Sequence, residues 1–337
     1  MKILINKDFW TYMKLKLTSL LTSHPEPHNF QILSLLCYSL VAVQAQRNYI
    51  YNFSPYVSPT TVLLNYEKMV ENFKVFVYKP NSAQLKFAST VESLFYSSLH
   101  NSTYLTQDPE EAHLFFLPFS SDLSTRALAH VLSRIRNDFP YWNRTLGADH
   151  FYLSRVGIPL ERDRNLVELK KNAVQISCFP TPNDKFVPHK DITLPPVPDP
   201  HVLLQRVPAR SLVNDNETWR GEEFLCAMKH TNDASWIGEA LRVGCVPVVV
   251  TEEPLNDMPF MDVLRWREMA VFVRSVGGVT RALGDTWRER HERMRKLGVA
   301  ASTHFQWNQP PLPFDAFNTI MYQLWLRRHT VRYAMVQ

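Results

Sequence analysis

Two stretches of this 337-residue sequence place chemistry-bearing side chains at a useful spacing. The first is Gly238-Glu-Ala-Leu-Arg-Val-Gly-Cys-Val-Pro-Val-Val-Val250. It reads as a helix, a stop at Gly244, and a strand over Val246 to Val250 whose short β-branched run, with no polar alternation, suits burial on both faces. Open parallel sheets take ligands at helix ends near the strand edges. A carboxylate at Glu239 can accept both hydroxyls of a ribose. Ser235 and Gly238, near the helix start, let a diphosphate approach the backbone. Arg242 serves either as a phosphate partner or as a last-turn cation that suits the helix dipole. The plain alternative is that any α/β unit holds a helix, a glycine and a valine strand, with Glu239 on an ordinary helix surface. The second stretch contains Asp149 and His150, a pairing fit for general-base work near neutral pH. Adjacent strand residues point to opposite faces, so one of the two is expected to face a cleft. A structural histidine bonded to backbone is the competing reading. His113 and His130 read as structural or surface residues, and Trp142 and Trp266 as core anchors.

Composition narrows the chemistry. The hydrophobic fraction is 45% and the formal charge +5. Both are ordinary for a globular chain long enough for two medium domains. No basic run is interleaved with aromatics, so nucleic acid is not an expected partner. Glycines number only 9, and neither Gly-x-Gly-x-x-Gly nor a P-loop occurs, which argues against dinucleotide and ATP sites. The four cysteines, Cys37, Cys178, Cys226 and Cys245, show no Cys-x-x-Cys spacing, so no structural zinc and no metal site is expected. Cys226 and Cys245 read equally as a disulfide pair or as two buried thiols.

Four blocks then resemble one family. Lys74-Val-Phe-Val-Tyr78 resembles an opening strand; Thr106-Gln-Asp-Pro-Glu-Glu-Ala-His-Leu-Phe-Phe-Leu-Pro-Phe119 and Trp142-Asn-Arg-Thr-Leu-Gly-Ala-Asp-His-Phe151 resemble two motifs; the Gly238–Val250 stretch, followed by Leu264-Arg-Trp266, resembles a donor-side signature. Together they resemble the exostosin-type glycosyltransferases in their plant branch, from about Phe73 to about Tyr333. The resemblance implies two Rossmann-like lobes of the GT-B type. It also implies transfer of a sugar from a nucleotide-sugar, a UDP-sugar above all, to a polysaccharide or glycan acceptor in the Golgi, inverting and without a metal. The absence of any Asp-x-Asp triplet agrees with a metal-independent class. By resemblance Glu239 sits where the family has an acidic residue on the donor side; Ser235, Gly238 and Arg242 beside it are candidates for donor binding, and Asp149 and His150 the candidates for acceptor activation. The sequence also departs from the family. Trp236 stands where relatives carry an arginine, Leu153-Ser-Arg-Val-Gly157 replaces a Ser-Cys-His-Asp type segment, and only about 27 residues separate Pro196 from Phe224 where relatives carry a much longer segment. The C-terminal lobe is therefore expected to be incomplete. A catalytically impaired chain acting as a non-catalytic partner, in a hetero-oligomer with an active relative, is the alternative function.

These elements imply an organisation of a targeting segment and stem over 1–70, an acceptor-side lobe over 71–200 and a donor-side lobe over 201–337. The apolar run Ile32–Val43 fits either a cleaved signal peptide or a type II anchor. Sequons at Asn52, Asn101, Asn143 and Asn216 permit lumenal glycosylation. Strands alternate with helices throughout, which predicts parallel sheets. Asp108-Pro-Glu-Glu111 predicts a helix of one or two turns opened by a capping box.

Overall fold

The strand-forming runs pair where their apolar pattern puts them. In the computed structural model residues 54–79, 87, 89–155, 157–158, 163–178, 186–195, 197, 225–229, 237–250, 258–275, 278 and 287–329 are described, with 225–229 and 287–288 described as backbone alone. Ser54–Gln337 form one unit and Met1–Phe53 another. The latter, with the Ile32–Val43 run and Asn52, lies outside the described residues, as do Asn216, Ser235 and Trp236.

A first sheet contains β1 (Val75–Val77), β2 (Leu105–Thr106), β3 (Leu114–Leu117), β4 (His150–Leu153), β5 (Val174–Ser177) and β6 (Ile192–Thr193), in the order β2-β1-β3-β4-β5-β6. Every pairing is parallel. β3, β4 and β5 are buried at every position, as strands covered by helices on both faces must be. A second sheet contains β7 (Leu225–Lys229), β8 (Val246–Val250) and β9 (Val271–Val273), again parallel, with β8 in the centre. The expected parallel strand over Val246–Val250 is therefore present and flanked on both sides.

The helices are α1 (Pro59–Asn72), α2 (Thr90–His100), α3 (Thr125–Asp138), α4 (Tyr141–Thr145), α5 (Arg164–Asn172), α6 (Ile237–Arg242), α7 (Trp287–Ala301) and α8 (Ala316–Arg327), with 3-10 turns at Trp266–Glu268 and Ser302–Phe305. Side-chain caps fix three starts. Ser124 accepts from Ala127 N, Asp163 from the amides of Asn165 and Leu166, and Asp315 from Asn318 N. Each is worth about 1 kcal/mol. On α7, Glu289, Arg290, Glu292 and Arg293 face solvent, the expected wet face.

Two local readings differ from the sequence expectation. Residues read as the end of a stem form α1, which buries Val62, Tyr66 and Met69 at spacings of four and three. Pro59 at its first turn opens this helix. Asp108–Glu111 makes a turn, not a helix. Asp108 Oδ1 accepts from Glu110 N at 2.9 Å. Glu111, which should reach back to close the box, instead accepts from the Thr106 hydroxyl at 3.1 Å. The chain must enter β3 at Leu114 and has no length for a helical turn.

One apolar cluster runs through both sheets. It joins Val75, Phe116 and Phe151 of the first to Ile237, Leu241 and Val249 around the second, with Phe317, Ile320 and Leu324 of α8. Helix α6 comes close to the Ser302–Phe305 turn because Gly238 has no side chain; a Cβ there would sit 2.5 Å from Phe305 Cβ. Gly238→Ala should therefore cost about 1–3 kcal/mol through overpacking, a drop of several degrees in Tm. Gly278→Ala, whose added Cβ would find its nearest atom at 3.6 Å, is the control. Calorimetric unfolding of both variants checks this, and an unchanged Tm for Gly238→Ala would refute the packing role.

Candidate functional site

Doubly wound sheets take ligands outside the carboxyl ends of their strands, where the strand order reverses. In the first sheet that point lies between β1 and β3. In the second sheet α6 follows β7, so its first turn, with Glu239, belongs to the carboxyl edge. The two predicted pairs meet this rule differently.

Asp149 and His150 come together, but at the amino end of β4. Asp149 is not a strand residue. It lies in the turn after α4, where Gly147 at φ +82° packs under the Trp142 ring. The alternation expected of neighbouring strand residues does not apply, and both side chains point into one network. His150 Nδ1 lies 2.7 Å from Asp149 Oδ1, the Thr145 hydroxyl donates to the same oxygen at 2.5 Å, and Tyr78 Oη lies 2.8 Å from His150 Nε2. An ionised Asp149 only accepts, so Nδ1 carries the proton and Tyr78 donates to Nε2. The imidazole lies beside Tyr78 and Phe115, nearly parallel to both rings, with Trp142 edge-on. It has no exposed surface, and Asp149 is 3% exposed. Burial holds the His150 pKa below its ordinary value, against the pull of Asp149, so the ring is neutral at pH 7. Burial works to raise the Asp149 carboxyl, yet the hydrogen bonds from His150 and Thr145 and the charge interaction with His150 outweigh it and leave its pKa lowered. Burial, then Asp149, raises the Tyr78 phenol. This is a sealed polar cluster in which both imidazole nitrogens have a partner.

Glu239 and Arg242 also come together, this time at the surface. Arg242 Nε donates to Glu239 Oε2 at 2.8 Å and its Nη2 lies 2.6 Å from the same atom. The side chains are 30% and 53% exposed respectively. A pair three residues apart on an exposed helix contributes a few tenths of a kcal/mol, so its value to the fold is small and both groups remain open to a ligand. Gly238 between them and the core is buried. The contacts among the described residues do not join this pair to Asp149 and His150.

The cysteine alternatives are resolved in part. Cys245 is disulfide-bonded, while Cys178 is free; burial pushes the Cys178 thiol up to about 12. Among the described residues no group of three or more His, Cys, Asp or Glu could hold a metal ion, and no helix is long and apolar enough to cross a membrane. Asn101 and Asn143 are exposed.

One feature has no counterpart in the sequence reading. A cleft of about 290 Å³ opens between residues 186–193, the 258–262 turn and the end of α8, with Asp191, Asp262, Gln323 and Arg327 on its walls. Gln323 and Arg327, four apart on an otherwise apolar helix, were the available signal.

A parallel doubly wound sheet beside a second parallel sheet, with the partly exposed Glu239 carboxylate on the latter's carboxyl edge, defines an α/β protein whose architecture takes ligands at strand ends. Residues 69–220 match the family model of the Exostosin GT47 domain. Two probable glycosyltransferases of Arabidopsis thaliana are each 27% identical, one over 82% of this chain and 73% of its own length, the other over 80% and 64%. A probable beta-1,4-xylosyltransferase of the same plant is 24% identical over 74% of this chain and 78% of its own. These matches bear out the resemblance read from the four motifs: the chain contains a stretch that matches the Exostosin GT47 domain, is similar to plant glycosyltransferases, and is an enzyme of the glycosyltransferase kind.

The sealed histidine sets a pH dependence. A histidine whose folded pKa lies below its unfolded value of about 6.5 adds stability above that value and loses it as pH falls. His304, 1% exposed and pushed down to about 4 by burial, has the same sign. The Tm should therefore fall steadily from pH 6.5 toward pH 4. His150→Gln and His304→Gln should each flatten part of that fall; a slope identical to that of the unmodified protein in both variants would refute the assignment.

Proposed function

We propose that this chain transfers a sugar from a nucleotide-sugar, a UDP-sugar in the first instance, to a polysaccharide or glycan acceptor in the Golgi. The reaction is read as inverting and metal-independent. The matches to plant glycosyltransferases, one of them named as a xylosyltransferase, support an acceptor among cell-wall polysaccharides. The observation that carries the reading is the placement of Glu239. It stands on the carboxyl edge of a second parallel sheet, exposed, with Arg242 bonded to it. A ribose can take the carboxylate while the guanidinium turns to a phosphate. Gly238 belongs to the same helix start, and it and Ser235, three residues earlier in the sequence, are assigned to the donor with them. Asp149 and His150 are the candidates for acceptor activation that the sequence offers, and in this conformation the imidazole has no open edge.

A second reading has its own support. The alignment to one relative spans 345 residues yet draws on 82% of this chain, so that relative contains stretches with no counterpart here. Together with the sealed histidine, this favours an impaired chain that works as a partner of an active relative.

Calorimetric titration with UDP and GDP, run beside an assay of donor hydrolysis and transfer on the secreted protein, separates the two. Glu239→Ala should lower UDP affinity about tenfold or more, since ribose hydroxyls left unpaired cost about 1–3 kcal/mol, with Tm unchanged. Equal affinity would remove Glu239 from the donor site. UDP binding and turnover both missing from the unmodified chain would favour the partner reading.

A further inference from the structure

The cleft at the end of α8 lies on the edge of the first sheet opposite to that at which such sheets take substrates. Asp191 immediately precedes β6, and its Oδ1 accepts from the amide of Gln175 at the beginning of β5. Its cations are all engaged. Arg327, 5% exposed, donates through Nε to Lys190 O, through Nη1 to Gln323 O, and through Nη2 to Pro188 O, Asp191 O and Asp262 Oδ2, the last at 2.7 Å. Lys190 Nζ holds Ala173 O and Asp191 Oδ1. Asp191 Oδ2 accepts from Val187 N.

Two acceptors are left over. Gln323 is 2% exposed, and its Oε1 has no hydrogen-bond partner. Its amide nitrogen donates to Asp262 Oδ2 at 3.4 Å, so turning the amide over would set oxygen against oxygen; Oε1 is the atom that stays unpaired. Asp262 has a half-exposed carboxylate, and its second oxygen has no hydrogen bond among the described residues. Phe186, Met258, Phe260 and Met261 supply an apolar wall. Phe260 holds a left-handed φ of 59°, a conformation a bulky residue adopts only where its surroundings impose it; Met261 and Asp262, which follow it, line the cleft.

A site of acceptors with engaged cations repels phosphate and carboxylate and asks for hydroxyl donors. Its apolar wall suits the C–H face of a pyranose. Its volume of about 290 Å³ stands near the lower end of the roughly 300–1,000 Å³ of small-molecule pockets, room for one sugar unit. We propose that this cleft is a second saccharide-binding site, which holds one neutral sugar residue of the acceptor glycan by hydroxyls donated to Gln323 Oε1 and Asp262. The proposal rests on the glycan-acceptor reading above and adds a site away from the donor.

The test uses the secreted chain, neutral tetrasaccharides of xylose, glucose and galactose, an oligogalacturonate, UDP and Ca²⁺, each titrated alone by calorimetry. Gln323→Met removes the unpaired acceptor at nearly constant volume. Met261→Trp fills the cleft without touching the buried ion pair, so one variant remains informative if the other folds poorly. A neutral tetrasaccharide should bind where the acidic one does not, and each variant should weaken it about tenfold or more with UDP affinity unchanged. Saccharide affinity unchanged in both variants, no saccharide binding by a chain that still binds UDP, or Ca²⁺ binding that both variants abolish would overturn the site. Saccharide binding that responds to the variants in a chain that takes no UDP would uphold the cleft and sink the donor reading alone.

Discussion

The arrangement depends on a buried guanidinium. Arg327 sits at the end of a helix that is otherwise packed into the apolar core, and a charge in that position is tolerated only if its donors are met. They are met by carbonyls of residues 188, 190, 191 and 323 and by the Asp262 carboxylate. These partners come from three separate stretches of chain: the approach to the first sheet's last strand, the turn ahead of the Trp266–Glu268 segment, and the helix itself. Removal of one partner of a fully buried pair typically costs about 3–5 kcal/mol; with Asp262 half exposed, its loss costs less than that. The same helix inserts Trp325 beside Phe73 and His113, and Phe317 beside Phe95 and Tyr104, while Tyr104 donates to Asn318. The C-terminal helix therefore belongs to the packing of the N-terminal strands as much as to its own sequence neighbours.

The distribution of polar groups along the strands separates structural from exposed chemistry. At the amino end of β4 a neutral imidazole, a carboxylate, a phenol and a hydroxyl satisfy one another without water. Polar networks of this kind are rigid when complete and costly when broken. At the carboxyl edge of the second sheet the Glu239–Arg242 pair is weak, exposed and easily rearranged. A ligand can displace a surface ion pair at little expense, whereas it would have to dismantle aromatic packing to reach His150.

Much of the fold was legible in the sequence because buried parallel strands are written as unbroken apolar runs. Leu114–Leu117 and Val246–Val250 fall where those runs stand, whereas Val174–Ser177 alternates Val and Ile with buried Gln175 and Ser177, and the Ser124, Asp163 and Asp315 starts fall where capping residues precede an apolar face. The misread places have physical reasons. Helix α1 follows a stretch of Tyr, Asn, Ser and Pro whose composition hides three well-spaced apolar residues. The Asp108 box has the right residues but no length in which to form a helix. In the site, Glu239 and Arg242 were legible because their edge follows from the order of helix and strand. The relation of Asp149 to His150 was not, because it hinges on a glycine turn that takes Asp149 out of the strand. Gln323 and Arg327, one turn apart, marked the helix as polar at one face, but the meeting of Gln323 with Asp262 was not legible because it joins residues 61 apart, which no local pattern records.

The disulfide at Cys245 ties oxidation chemistry to the second sheet. Cys245 is the hinge between Gly244 and the central strand β8, one residue ahead of the most buried valine run in the second sheet. Disulfides form and persist where the surroundings are oxidising and are reduced in the cytosol. A chain folded among reducing thiols would therefore begin its central strand untethered, whereas Cys178, half-buried and free with its thiol held protonated, would be indifferent to the change. The redox state of the compartment in which the chain matures thus acts selectively on the half of the molecule that contains Glu239.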